Sequence, residues 1–172
     1  MATRWIAMTE MGPRVTPDDV RRYERELGQE LPEDYRQFLV DVNGGQPALE
    51  CSVFQLSKER SILNNLLSLN DPDEGNNLAT VQRLSAYSGN ELPKDALTIG
   101  YDAGGSRIVL ILAGPHRGQV WFLDIGNLRP TGSNPRVEWF DRRDVWKLAD
   151  SFAEFMAGLR PLKDDASASA SP

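Results

Sequence analysis

The stretch that decides the fold is Leu31-Pro32-Glu33-Asp34-Tyr35-Arg36-Gln37-Phe38-Leu39, which is followed closely by Asn43-Gly44-Gly45. Proline has no backbone N–H to lose and a fixed φ, so it suits the start of a helix. The aromatic and aliphatic residues then fall on one helical face, and the charged residues fall elsewhere. The glycines permit the left-handed backbone that ends a helix. The stretch predicts a short amphipathic helix and a sharp turn after it.

A further helix is predicted just before this stretch. Thr16-Pro17-Asp18-Asp19 combines an N-cap hydroxyl, a proline at the first helical position and two acids near the positive end of the helix dipole. Apolar residues follow at i, i+3 and i+7, and Gly28 provides a left-handed stop. We expect the two helices to be close neighbours.

Three more segments have helical patterns. Apolar residues after Ser57, an N-cap candidate, recur from Ile62 to Leu69 at spacings typical of a helix. The range Asn77 to Tyr87 has a similar but weaker pattern. Ser151-Phe152-Ala153-Glu154 is a capping box, which predicts a final short helix that docks on the core.

Strands are predicted mainly in the second half of the chain. The ranges Leu97 to Tyr101, Arg107 to Leu112 and Gln119 to Asp124 are rich in β-branched and aromatic residues, and glycine-rich turns separate them. Alternation from Ala48 to Leu56 and the run Val137 to Phe140 predict two more strands, the latter at a sheet edge. The expected fold is α+β, with an antiparallel sheet of about four to six strands and helices packed against it.

Length and composition indicate one globular domain. The chain has 172 residues, of which 40% are hydrophobic and 26% charged. We place the domain at residues 15–160, with an N-terminal extension at 1–14 and a disordered tail at 161–172, where alanine and serine alternate. A single cysteine, the absence of a signal peptide and the absence of a membrane-length apolar run predict a cytoplasmic protein with no membrane partner.

The residue types argue against common catalytic sites. His116 is the one histidine and Cys51 the one cysteine, which is too few for a Cys/His zinc site, and no nucleophile elbow or phosphate-binding loop is present. We therefore predict no enzymatic activity, no metal and no cofactor. An enzyme with converging carboxylates stays open as an alternative, because any two acids can meet in three dimensions.

The charge pattern favours a basic partner. The formal net charge is −6, from 25 acidic against 19 basic residues, which disfavours direct nucleic-acid binding. The range Ser68 to Asp102 contains six acidic and two basic residues, whereas residues 103–143 carry a net charge of +3. We expect an acidic interaction surface to come from the middle of the chain. Among the tryptophans, Trp121 is expected in the core, and Trp139 or Trp146 at an interface.

Two segments together resemble the SUKH superfamily. One is the leucine-proline helix with its asparagine-glycine-glycine ending. The other runs through Leu97-Thr98-Ile99-Gly100-Tyr101-Asp102, Gly104-Gly105, Gly118-Gln119-Val120-Trp121-Phe122 and Ala149-Asp150-Ser151-Phe152-Ala153-Glu154-Phe155. The resemblance spans roughly Val15 to Leu159, with its order and spacing intact.

The resemblance implies an α+β fold, no enzymatic activity and no catalytic residues to transfer. Many bacterial members of that superfamily are antidotes encoded beside polymorphic toxins, often nucleases, which they inhibit by direct binding. We therefore expect an immunity protein that binds a basic cognate toxin; the alternative is a regulatory or scaffold module of the same fold that binds a cellular protein. The residues expected to contact the partner are Asp71, Asp73, Glu74, Glu91, Tyr101 and Asp102.

Overall fold

The structure, a computed structural model, describes residues 5–87, 92–126 and 138–162. Its strands are β1 (Met8–Thr9), β2 (Gln46–Pro47), β3 (Val53–Gln55), β4 (Arg60–Leu66), β5 (Ala96–Asp102), β6 (Arg107–Ile111), β7 (Val120–Leu123) and β8 (Val145–Ala149). Its helices are α1 (Pro17–Leu27), α2 (Glu33–Asp41), α3 (Leu78–Tyr87) and α4 (Phe152–Ala157). The predicted α+β class is confirmed.

Strands β3 to β8 form one antiparallel sheet in chain order, and β1 pairs with β2 in a small separate sheet. The predicted meander of three strands is present as β5, β6 and β7. Because side chains alternate along a strand, Ile108 and Leu110 face the helices, whereas Val109 and Ile111 face the other side. The sheet therefore has two buried apolar faces, and Trp121 lies in the cluster on the second one.

Helices α2 and α4 join the two segments that carried the family resemblance. Phe152 of α4 lies 4.9 Å, between ring centroids, from both Tyr35 and Phe38 of α2. The carboxylate of Asp34 accepts a hydrogen bond from the backbone N–H of Ala153 at 2.8 Å, so α2 caps the start of α4. Residues far apart in the sequence thus build one aromatic core.

The asparagine-glycine turn after α2 is a buried junction. Asn43 is 1% exposed, has a φ of 61° and donates from Nδ2 to the carbonyls of Pro13 (2.6 Å) and Leu69 (2.8 Å). Its Oδ1 accepts from the N–H of Leu69 at 2.7 Å. Gly44 has a φ of 76°, and a β-carbon there would collide with Ser68. The turn therefore joins the N-terminal segment to the end of β4.

The predicted helix after Ser57 is wrong, because this segment forms β4. Near Leu63, two residues of β4 lie opposite a single residue of β5, and this irregularity is a β-bulge. The bulge turns Leu63 and Leu66 toward the same core, although an uninterrupted strand would place residues three apart on opposite faces. The resulting spacing of the buried leucines is the same as that on one face of a helix.

Two strand predictions also need correction. In the range predicted from Ala48 to Leu56, Leu49–Cys51 is a 3-10 turn and only β3 is a strand. The edge strand predicted at Val137 to Phe140 is a 3-10 helix over Trp139–Asp141, while Val137 itself lies outside the described residues. The strand beside β7 is instead β8, which the sequence did not predict.

The described part of the N-terminal extension, residues 5–14, packs onto the domain. Its Trp5 is 8% exposed within the main core and donates from Nε1 to the carboxylate of Asp41 at 2.9 Å. Of the predicted tail, residues 163–172 lie outside the described residues.

Candidate protein-binding surface

The acidic loop, defined as residues 70–77, connects β4 to α3. It contains three of the residues predicted to contact a partner. Asp73 and Glu74 are exposed, and Asp71 is half-buried. The loop therefore presents carboxylates directly to solvent.

Hydrogen bonds within the loop give it a defined shape. The carboxylate of Asp71 accepts from the N–H of Asp73 at 2.9 Å, and that of Asp73 accepts from the N–H of Gly75 at 2.8 Å. Asn77 donates from Nδ2 to the carbonyl of Asp71 at 2.7 Å, and its Oδ1 accepts from the N–H of Thr80 at 3.0 Å. Asn77 thus caps α3 and closes the loop.

Tyr101 of β5 is linked to the acidic loop through Asn65 of β4. It is directly opposite Asn65 in the β4–β5 pair, and Asn65 donates to the side-chain oxygen of Asn76 at 3.1 Å. Burial raises the pKa of Tyr101 above its ordinary value, and the nearby Arg107 acts in the opposite direction. The strand register therefore places Tyr101 next to Asn65, the β4 residue that hydrogen-bonds to the acidic loop.

Asp102 has a different position. It is 8% exposed, and its carboxylate accepts from Ser61 Oγ at 2.7 Å and from the N–H groups of Gly104 (2.9 Å) and Ser106 (2.8 Å). These bonds shape the turn between β5 and β6, so Asp102 is not part of an exposed contact surface. Glu91 lies outside the described residues.

Sequence inspection missed the asparagines that support the acidic loop. A signal for Asn77 was present, because asparagine before an apolar helical run is a common N-cap. Asn65 had no such signal, since its alignment with Tyr101 depends on the bulge in β4. Its role becomes visible only once the strand register is known.

The described part of the chain offers neither a metal-binding cluster nor a helix that could span a membrane. No group of three or more His, Cys, Asp or Glu residues within it is arranged to hold a metal ion. None of its helices has the length and apolar character needed to span a bilayer.

The chain belongs to the SMI1 / KNR4 family (SUKH-1), whose family model matches residues 14–158. Membership supports an immunity- or regulator-type module, of a family that is generally non-catalytic and works through protein contact. No curated protein matches the sequence significantly.

Proposed function

We propose that this protein is a cytoplasmic, non-enzymatic immunity protein that binds and neutralises a cognate bacterial toxin, with a basic nuclease as the expected target. Family membership supports the general class. The observation that carries the specific proposal is the exposed and internally hydrogen-bonded acidic loop.

Electrostatics explain why such a loop suits a nuclease. An enzyme that binds a phosphate backbone needs a basic cleft, and an acidic protein is attracted to that cleft from a distance. Complementary charge speeds association and disfavours acidic partners. A protein seated there blocks access of the nucleic acid without any chemistry of its own.

The proposed contact residues are those of the acidic loop and one residue of β5. Asp73 and Glu74 supply exposed charge, Asp71 adds a half-buried carboxylate, and Tyr101 of β5 provides an aromatic contact. Glu91 stays a proposed contact residue. Asp102 is left out because it is buried and its carboxylate accepts hydrogen bonds from Ser61 of β4 and from the turn after β5.

The test is binding to the product of a neighbouring toxin gene, together with rescue of cells that express this toxin. Neutralising the loop should weaken binding at least about tenfold, since charge pairs at such interfaces contribute strongly. Asparagine and glutamine retain a side-chain acceptor, so the loop should keep its shape. The test variant combines Asp71→Asn, Asp73→Asn and Glu74→Gln.

A control variant with the same change in net charge carries Asp18→Asn, Glu26→Gln and Glu30→Gln, on and just after α1. It should bind and rescue as the wild type does, and thermal unfolding of both variants should stay close to that of the wild type. Equal weakening by the two variants would refute the acidic loop as the contact surface. Failure of the wild type to bind or rescue would refute immunity and favour the regulatory alternative.

A further inference from the structure

A groove of about 520 Å³ lies on the sheet face that is turned away from α2 and α4. It is formed between the turn after β6 and the 3-10 helix Trp139–Asp141. Three of its lining residues are aromatic, His116, Trp121 and Phe140, and three are acidic, Asp95, Glu138 and Asp141.

The aromatic rings of this groove hold one another in place. The ring centroids of His116 and Phe140 are 4.0 Å apart, and those of Trp121 and Phe140 are 4.9 Å apart. Trp121 Nε1 donates to Gln119 Oε1 at 3.1 Å, and His116 Nδ1 lies 3.0 Å from the same oxygen. Because an amide oxygen only accepts, Nδ1 of His116 carries a proton. The groove is therefore lined by oriented rings.

The acidic groups at this groove are available to a ligand. Glu138 and Asp141 are exposed and Asp95 is half-buried, and none of these carboxylates hydrogen-bonds or pairs with a described residue. The adjacent Arg117 is directed elsewhere, since its guanidinium donates to the carbonyls of Leu112 (2.7 Å) and Glu30 (3.1 Å). Among the described lining residues, the groups with a fixed charge at neutral pH are all negative.

We propose that this groove binds an arginine side chain presented by a partner protein. A guanidinium is planar and weakly hydrated, so it stacks on aromatic rings while it donates to surrounding carboxylates. A lysine ammonium satisfies the charge but not the planar stacking. The volume lies within the range of about 300 to 1,000 Å³ that is usual for ligand sites, and it accommodates the arginine with flanking backbone.

The proposed ligand can be tested without a toxin. Three peptides serve as probes of the full chain: acetyl-Gly-Arg-Gly-amide and its counterparts with lysine or with citrulline, which is a neutral isostere of arginine. Titrations followed by heteronuclear NMR should shift the indole N–H signal of Trp121 and the ring signals of His116. The indole of Trp5, which donates to Asp41 in the helix-side core, should not respond.

The arginine peptide should bind at least about threefold more tightly than the lysine peptide and tenfold more tightly than the citrulline peptide. Glu138→Gln combined with Asp141→Asn should weaken arginine binding about fivefold, because exposed charges contribute modestly. The matched control, Asp18→Asn with Glu26→Gln, makes the same charge change on α1 and should stay within about twofold of the wild type.

Three outcomes would overturn the inference: no response at Trp121 and His116, equal binding of the arginine and citrulline peptides, or equal weakening by the control. Thermal unfolding of each variant checks that it is folded, and the rim substitutions lie at exposed positions. The proposed immunity function is tested with a toxin and this inference with peptides, so either can fail while the other stands.

Discussion

Asn43 shows how one buried side chain can hold several segments together. It donates to two carbonyls and accepts one N–H, which connects the turn after α2 with the N-terminal segment and the end of β4. Its φ of 61° is in the left-handed region, which asparagine adopts more readily than most residues. Both the backbone and the side chain therefore require asparagine here.

Replacement of Asn43 by alanine should lower the free energy of unfolding by about 3 kcal/mol or more, because buried polar groups lose their partners and the left-handed backbone becomes strained. Asn43→Gly removes the hydrogen bonds without that strain and should be the milder change. Denaturant unfolding measures both. The control is the exposed Asn64, whose replacement by alanine should change stability by less than about 0.5 kcal/mol. Similar losses at the two positions would contradict the role of Asn43.

Single residues also show where sequence inspection reaches its limit. The turn after α2 could be predicted, because asparagine and glycine have distinctive backbone preferences. The burial of Asp102 could not be predicted, because an acid next to a glycine-rich turn can either face solvent or accept hydrogen bonds from the turn. Its bond to Ser61 depends on how β4 aligns with β5, which no local pattern specifies.

At the scale of elements, the helices with clear end signals were predicted and the irregular strand was not. The caps of α1 and α4 are local, so they can be identified in a single segment. Strand β4 is defined by pairing with residues far away, and its bulge produces a helix-like spacing of leucines. Local patterns therefore predicted the elements whose ends are fixed locally.

The contact between Asp34 and α4 gives a test at this scale. Asp34→Ala should destabilise the fold by about 1 to 2 kcal/mol, because the N–H of Ala153 loses its acceptor. Asp34→Asn keeps an acceptor and should lose less. The neighbouring Glu33 is exposed, so Glu33→Ala should change stability by under about 0.5 kcal/mol. Denaturant unfolding distinguishes these cases, and an effect at Glu33 as large as that at Asp34 would contradict the capping role.

The packing of α1 and α2 predicts a dependence on alkaline pH. Burial raises the pKa of Tyr35 well above its ordinary value, and neither its hydroxyl nor that of Tyr23 hydrogen-bonds to a described residue. Unfolded tyrosine loses its proton near pH 10, whereas folded Tyr35 keeps it, so its contribution to stability is full below pH 10 and falls above it.

Tyr35→Phe should therefore leave stability at pH 8 unchanged or raise it by up to about 1 kcal/mol, because a buried hydroxyl without a partner is unfavourable. Relative to the wild type, the variant should gain about 1.4 kcal/mol more between pH 8 and pH 11, since it lacks the ionisable group. Denaturant unfolding at the two pH values measures this difference. A parallel decline in both proteins would show that Tyr35 does not contribute to it.

At the scale of the whole molecule, the fold concentrates negative charge on surfaces that the sequence predicted only in outline. The acidic middle of the chain was recognised from composition, and the structure divides it among the exposed acidic loop, the buried Asp102 and Asp95 at the groove. The other two acids of the groove, Glu138 and Asp141, come from the segment of net positive charge. Charge along the chain was therefore informative, but its distribution over surfaces depended on the strand alignment.

Association with a basic partner should then depend on ionic strength. For the proposed toxin complex, the association rate should fall at least about tenfold between 50 and 500 mM NaCl, because screening shortens the range of attraction. Dissociation should change less. Neutralising the three acids of the acidic loop should make the association rate much less sensitive to salt. The matched substitutions on and after α1 should leave most of that sensitivity in place. Stopped-flow measurements would separate the two cases, and identical salt dependence in both variants would assign the steering to net charge instead of to the acidic loop.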